Sequence, residues 1–403
     1  MKSETQNTTI CFLADKHDLY DDRIYWKMAV PLKEKGYNVH YLLISDTIRR
    51  GITPEGIHYE ILKTKTISKN KYLNFILKFF NPFNNYTKLF EKAKALNADI
   101  YHFHDLWINK IGGKLKRLKH KPVVFYDVHE PYAEDYISYS NVTGVLKLIV
   151  EMFAFLVDKW EKNKAKKYDL IITTEEIVRD NFRRVIGIEK AEVIYNFTEN
   201  YNLYNSKKLS EKKIDFIYSG GITKLRGAFK ILEATLKTKQ IFPNVKVVFI
   251  GKYSPLSLKD EMQDFISKHN LTDNVELHSF INYSKISNYY NNSKVGFITP
   301  LPEPSFKIKM YIKIFEYMAF GLPIIGSNFG HIKEYVEKEK CGILVDPESS
   351  VEISNSMVQL LTDIDKYNFH SRNGRLATLE KYRWELELKR LINFYEKALN
   401  ERG

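Results

Sequence analysis

Apolar residues along the chain come in short runs of three to seven, separated by longer stretches with helical spacing. Ile10–Ala14, Asn38–Ile44, Ile100–Phe103, Pro122–Tyr126 and Leu170–Thr173 are rich in β-branched and aromatic residues and end abruptly in polar ones. That is the pattern of strands buried on both faces of a parallel sheet. Between them, Arg23–Lys35 is amphipathic and stops at Gly36, and Leu106–Leu118 shows the same periodicity; a glycine just past the last periodic residue is a helix stop. After a polar stretch from Asn196 to Lys213, rich in Asn, Tyr, Ser and Lys, the alternation restarts. Ile214–Ser219, Val245–Gly251, Val275–Leu277, Val295–Ile298, Pro323–Ile325 and Gly342–Val345 are predicted strands, with a Gly-Gly turn and the helix Ala228–Thr238 after the first. Gly374–Leu399 reads as one or two long helices.

Strands alternating with helices imply doubly wound parallel sheets, and the restart implies two of them. A chain of 403 residues is long enough for two ordinary cores. The expected layout is an N-terminal Rossmann-like domain over residues 1–197, a linker over 198–213, a C-terminal Rossmann-like domain over 214–377 and a C-terminal helix over 378–403. Open α/β sheets bind ligands beyond the carboxyl ends of their strands. The chemistry is therefore expected in the loops that follow strands in both halves.

Composition narrows the class. Hydrophobic residues are 44% and charged residues 28%, the balance of a globular protein. Cys11 and Cys341 both lie in apolar segments, which argues for a reducing compartment over a stapled secreted fold. The polar opening, Met1–Thr9, has no signal-peptide pattern, and cytoplasmic placement is expected. Val145–Val157 is the longest apolar run, but Lys147 and Glu151 interrupt it and it is shorter than the roughly 20 residues a bilayer span needs. The net charge of +13 brings no nucleic-acid motif with it, and no nucleic-acid partner is expected. From Lys63 to Lys94 lysines interleave with Tyr72, Phe75, Phe79, Phe80, Phe83 and Tyr86, a mixture that suits a membrane interface or a core helix with a wet face.

Three constellations carry candidate chemistry. Lys313 and Glu316, in Lys-Ile-Phe-Glu-Tyr-Met-Ala-Phe-Gly-Leu-Pro, are three apart and share a helix face. In a first turn they would meet an anion drawn by free N–H groups and the dipole. Lys313 would neutralise a departing diphosphate, and the Glu316 carboxylate can accept from two vicinal hydroxyls. The structural alternative is an exposed ion pair worth about 0.2–0.5 kcal/mol. In Tyr218-Ser219-Gly220-Gly221-Ile222-Thr223-Lys224-Leu225-Arg226-Gly227, glycines admit close ligand approach while Lys224 and Arg226 offer cations. The third set is Tyr101-His102-Phe103-His104-Asp105-Leu106 with Tyr126-Asp127-Val128-His129-Glu130, titratable residues clustered at strand ends. Neighbours in a strand point to opposite faces, and His104, Asp127, His129 and Glu130 lack zinc-like spacing. No metal is expected, and hydrogen bonds to sugar hydroxyls fit better.

In this order the motifs resemble the family-four retaining glycosyltransferases of the GT-B fold (glycosyl transferases group 1). The resemblance runs along nearly the whole chain. Asp22-Arg23-Ile24 with the helix ending at Gly36-Tyr37 resembles the family's opening, and the two histidine motifs its paired histidines. Gly220–Gly227 resembles its phosphate loop, Lys313–Pro323 its donor helix, and Gly342–Val345 with Asp346-Pro347 its last strand and turn.

The resemblance implies two facing Rossmann-like domains with a cleft between them, a final helix crossing back to the N-terminal domain, and metal-independent transfer with retention. It implies a nucleotide-diphosphate sugar as donor and a glycan or polyprenyl-linked acceptor, in surface polysaccharide biosynthesis, with peripheral contact at the inner membrane face. Arg226 and Lys313 would hold the diphosphate beside Gly220, Gly221 and Lys224. Glu316 would hold the ribose, and Glu334 would line the sugar. His129 would contact the sugar near the reacting centre, with Arg23, His104, Asp105, Asp127 and Glu130 on the acceptor side. The transferred group would be a hexosyl or N-acetylhexosaminyl unit. Two departures stand out: Ile308 occupies the place of the family's first glutamate, and Gly221 the place of an arginine. The missing carboxylate at Ile308 keeps open a non-catalytic GT-B-like binding protein, and the shared architecture and similar histidines and carboxylates keep open a nucleotide-sugar 2-epimerase.

Overall fold

The computed structural model describes residues 8–63, 86–138, 140, 142–281 and 283–402. The chain forms two compact units, residues 1–196 with 387–403, and residues 197–386.

The first unit is built on β1 (Thr9–Asp15), β2 (Asn38–Ser45), β3 (Arg49–Ile52), β4 (His58–Lys63), β5 (Ile100–His104), β6 (Val123–Val128), β7 (Leu170–Thr173) and β8 (Ala191–Val193). They form an eight-stranded sheet in the order β3-β4-β2-β1-β5-β6-β7-β8. All pairings are parallel except β3 with β4. The apolar runs bury because both sheet faces are covered: β1 and β6 carry a nearly unbroken row of buried residues, and Leu13, Tyr101, Phe103, Tyr126 and Ile171 share one core. The strands without a hydrophobic signature, β3 and β8, are the sheet's edges. Every residue of β3 is exposed, so no apolar pattern announces it.

The helix predicted over Arg23–Lys35 begins as a widened, π-type turn from Asp22 to Ala29 and becomes α-helical only over Val30–Glu34. Pro31 has no N–H to give to a normal turn, and the wider turn before it accommodates that loss. The helix predicted from Leu106 likewise starts as a tight turn, Leu106–Ile108, before Asn109–Leu115.

The second unit is built on β9 (Ile214–Ile222), β10 (Val247–Tyr253), β11 (Val275–His278), β12 (Ser293–Ile298), β13 (Ile324–Ser327) and β14 (Gly342–Val345). They form a six-stranded, wholly parallel sheet in the order β11-β10-β9-β12-β13-β14. Phe216, Phe249, Val295, Phe297 and Ile325 lie in its separate core. The Gly-Gly turn expected after Ser219 is absent: β9 runs on through Ile222, and Gly220 pairs with Gly251 of β10. A β-carbon on Gly251 would stand 1.6 Å from the Gly220 carbonyl oxygen, so the glycines serve close backbone approach here.

Residues 198–213 are held to the second unit, where Arg375 donates to the Tyr201 carbonyl and the Asn205 N–H to Asn291. The terminal helices run over Ile364–Lys381 and Trp384–Asn400. Residues 387–403 complete the first unit, with Glu387 accepting from the Tyr195 N–H. Tyr72, Phe75, Phe79, Phe80 and Phe83 lie outside the described residues. No helix among the described residues is long and apolar enough to cross a membrane.

Candidate functional site

Each sheet reverses its strand order beside its first strand, between β1 and β5 in one unit and between β9 and β12 in the other. Ligands of open α/β sheets bind at such switch points. Both candidate clusters lie at these ends.

In the first unit, Asp127 at the end of β6 is the hub. Arg23 donates to it through Nε at 3.1 Å and Nη2 at 3.2 Å, and to the Ile194 carbonyl at 3.1 Å. Both are almost fully buried. Burial would raise the Asp127 pKa, but Arg23 and His129 outweigh it and hold the carboxyl well below its usual range. His102 and His104 alternate along β5 and so share a face, stacked with ring centroids 4.6 Å apart. Burial pushes both below the ordinary imidazole range, so they are neutral. Nε2 of His102 stands 3.6 Å from Asp127, and Nδ1 meets the Tyr395 hydroxyl at 2.5 Å. His104 Nδ1 meets His129 Nε2 at 2.9 Å. Arg23, His104 and Asp127 are thus interior supports.

Asp105 and His129 keep exposed edges, 16% and 14% of their side chains. Asp105 follows β5 with a φ of +75°, a conformation that costs a non-glycine residue and recurs at functional sites. It is locked by three donors: the Asp15 N–H, the Tyr132 hydroxyl and His17 Nε2. His17 also meets Asp21 at 2.8 Å through Nδ1. Burial alone would lower the His17 pKa, but Asp105 and then Asp21 overcome it and lift it to about 11. Asp21 also caps the turn from Asp22 by accepting from the Arg23 and Ile24 N–H groups. Glu130 is half-buried beyond β6.

Two sets among the described residues bring metal-ligand atoms within 4.8 Å of one another: His17, Asp105, His129, and His102, His104, Asp127. In the second a guanidinium already occupies Asp127, and in the first His17 lies between the Asp21 and Asp105 carboxylates.

In the second unit, Lys313 is the second residue of the helix Ile312–Ala319 and Glu316 the fifth. Their ion pair forms at 2.6 Å, but Glu316 is only 5% exposed, unlike a surface pair. The Tyr290 hydroxyl donates to Glu316 at 2.5 Å and contacts Ser219 Oγ at 2.8 Å. Burial, and then Glu316, hold the Tyr290 pKa well above its ordinary value, so the hydroxyl keeps its proton. The Ser219 hydroxyl, on β9, donates to the Tyr290 oxygen, tying the Glu316 brace to the strand. The end of β9 is flanked by both cations: Lys313 Cε is 3.8 Å from where a β-carbon on Gly220 would stand, and Arg226 Nη1 is 3.4 Å from one on Gly221.

Arg226 is presented by a tight turn, Lys224–Arg226, that Thr223 caps and Gly227 ends at a φ of +81°. Lys224 turns away to Glu261 at 2.5 Å and is 60% exposed. Glu334 lies in the second turn of the helix Gly330–Glu339, 58% exposed and 3.0 Å from His331. Ile308 ends the short helix Pro304–Ile308, whose Lys307 carbonyl packs against Gly330.

Sequence reasoning missed His17, Asp21, Tyr132 and Tyr395 in the first unit and Ser219 and Tyr290 in the second. His17 and Asp21 stand in a polar stretch after a predicted strand, a signal that could have found them. Tyr395 and Tyr290 sit within helices and have no local signal.

Comparison with known proteins agrees with this architecture. The glycosyltransferase family 4 profile matches residues 25–199 and the glycosyl transferases group 1 profile residues 202–377. An uncharacterized glycosyltransferase of Methanocaldococcus jannaschii is 24% identical over 332 residues, 76% of this chain and 77% of its own. Sucrose-phosphate synthase of Thermosynechococcus elongatus superposes with a TM-score of 0.72 at 16% identity, over 98% of this chain and all of its own. The Anabaena protein HepE in complex with UDP gives 0.69 at 16% identity, over 97% of this chain and all of its own. These structural likenesses establish the fold. The two profiles succeed one another along two parallel-sheet units, and the chain belongs to the family-four glycosyltransferases of the GT-B fold.

Proposed function

We propose that the protein transfers a hexosyl or N-acetylhexosaminyl group, with retention, from a nucleoside-diphosphate sugar to a glycan or polyprenyl-linked acceptor in surface polysaccharide synthesis, at the inner face of the cell membrane. The observation that carries this is the second unit's pairing of two cations, Lys313 and Arg226, with glycine backbone at the end of β9. Charge at that point stabilises the diphosphate as the anomeric C–O bond breaks. The new bond forms to the acceptor oxygen, whose proton leaves with the diphosphate. No metal is required, because lysine and arginine supply the positive charge.

To buried Glu316, braced by Tyr290, we assign acceptance from the vicinal ribose hydroxyls. Gly220 and Gly221 let the diphosphate near the backbone, Glu334 lines the sugar, and Lys224 belongs to the outer approach. To the first unit we assign recognition of hydroxyl-rich groups by Asp105 and His129. The binding of UDP by HepE, and of UDP-glucose in another of its complexes, supports a nucleotide-sugar donor.

Thermal denaturation with UDP, GDP and their sugars tests the reading, since a ligand specific to the folded state raises Tm by mass action. One nucleotide series is expected to stabilise the protein, and Arg226→Ala to lower kcat by roughly 10²-fold. No response to any nucleotide, or unaltered turnover in Arg226→Ala, would refute it.

A further inference from the structure

The helix Val145–Ala165 is apolar on two opposite faces. Its inward face, Ala154, Val157 and Ala165 with Glu161, is buried. Its outward face repeats Val145, Leu148, Ile149, Met152, Phe155 and Leu156 at helical spacing, and these are 74, 65, 51, 61, 62 and 50% exposed. Contiguous exposed apolar patches mark interaction surfaces.

The charge beside this face selects its occupant. Lys159, Lys166 and Lys167 are exposed, while Lys147 at the opposite side of the helix lies 3.9 Å from Glu151. Lys164 sits in the field of Lys167, Arg117 and Lys114, within a chain of net charge +13. Protein–protein interfaces are depleted in lysine. Leu and Phe on one side with lysines around them is the composition of helices that lie in the plane of a membrane surface, and anionic headgroups attract such lysines.

We propose that this face docks on an anionic phospholipid bilayer, with Leu148, Met152 and Phe155 entering the boundary between headgroups and acyl chains. The inference rests on the proposed membrane-borne acceptor for its biological sense, and it names the surface that meets the lipid.

Co-sedimentation without nucleotide or acceptor tests it apart from transfer. The wild-type protein is expected to pellet with mixed phosphatidylcholine–phosphatidylglycerol vesicles, weakly with pure phosphatidylcholine, and less as salt rises. The triple variant Leu148→Gln, Met152→Gln, Phe155→Gln is expected to lose roughly ten-fold or more in partitioning. Its Tm and its nucleotide-induced Tm shift should match the wild type, because the replaced side chains are exposed. Wild-type protein that stays in the supernatant, or a variant that pellets equally, overturns the proposal. So does a wild-type dimer that the triple variant dissociates while neither binds vesicles, which would make the face a self-interface. Vesicle binding with no nucleotide response would instead sink the transferase reading and leave this one standing.

Discussion

Asp127 concentrates the electrostatic risk of the first unit, because its carboxylate is fully buried and balanced mainly by one guanidinium. Removing one partner of a buried pair costs more than the pair itself contributes, since a charge is left without compensation. Arg23→Met is therefore expected to lower stability by about 3–5 kcal/mol in denaturant unfolding. Wild-type stability in that variant would show that water reaches Asp127. His17 makes a separate prediction. Its folded pKa of about 11 lies above the ordinary 6.5, so its contribution is complete below about pH 6.5 and declines as pH rises toward 11. The stability gap between wild type and His17→Gln should be widest near pH 6 and shrink steadily to pH 9. A gap that is flat, or that grows with pH, would mean His17 is neutral in the folded protein.

At the scale of elements, the second unit's site depends on how tightly β9 and its following turn are packed. Gly227 ends that turn at a φ of +81°, and a β-carbon there would stand 2.2 Å from the Thr299 carbonyl oxygen. Both strain and overlap oppose any side chain, and overpacking of this kind costs about 1–3 kcal/mol. Gly227→Ala should show that loss in denaturant unfolding, together with weaker nucleotide stabilisation as the Arg226 turn is displaced. Nucleotide affinity equal to wild type would separate Arg226 from the donor. The glutamine-substituted helix Val145–Ala165 belongs to the same scale, since its outward face adds apolar area without adding to the core.

For the whole molecule, two cores predict two separable responses. One core gathers Leu13, Tyr101 and Phe103, the other Phe216, Phe249 and Phe297. Hydrogen exchange should therefore find Arg23→Met raising amide exchange in β1, β5 and β6 while β9, β10 and β12 keep wild-type protection. Uniform deprotection of both units would show that they unfold as one. A nucleoside diphosphate should act in the opposite place, protecting β9 and the helix Ile312–Ala319 first.

The alternation of strands and helices was legible because a parallel strand covered on both faces must be an apolar run, and that is a local property of the sequence. It failed where burial failed, at the exposed edge β3. Lys313, Glu316 and Arg226 were legible from spacing and motif, as were the histidines at the ends of β5 and β6. Their neighbours were not. His102 meets Tyr395 across 293 positions, Arg23 meets Asp127 across 104, and Ser219 meets Tyr290 across 71. Linear order carries no trace of such contacts, so only the folded chain decides which histidine is buried and neutral, which carboxylate is paired, and which lysine turns aside. Amino-acid order determined the elements and the kinds of chemistry available at their ends, because propensity and periodicity act over a few residues. Tertiary structure decided the charge and direction of each group, because those depend on neighbours brought together through space.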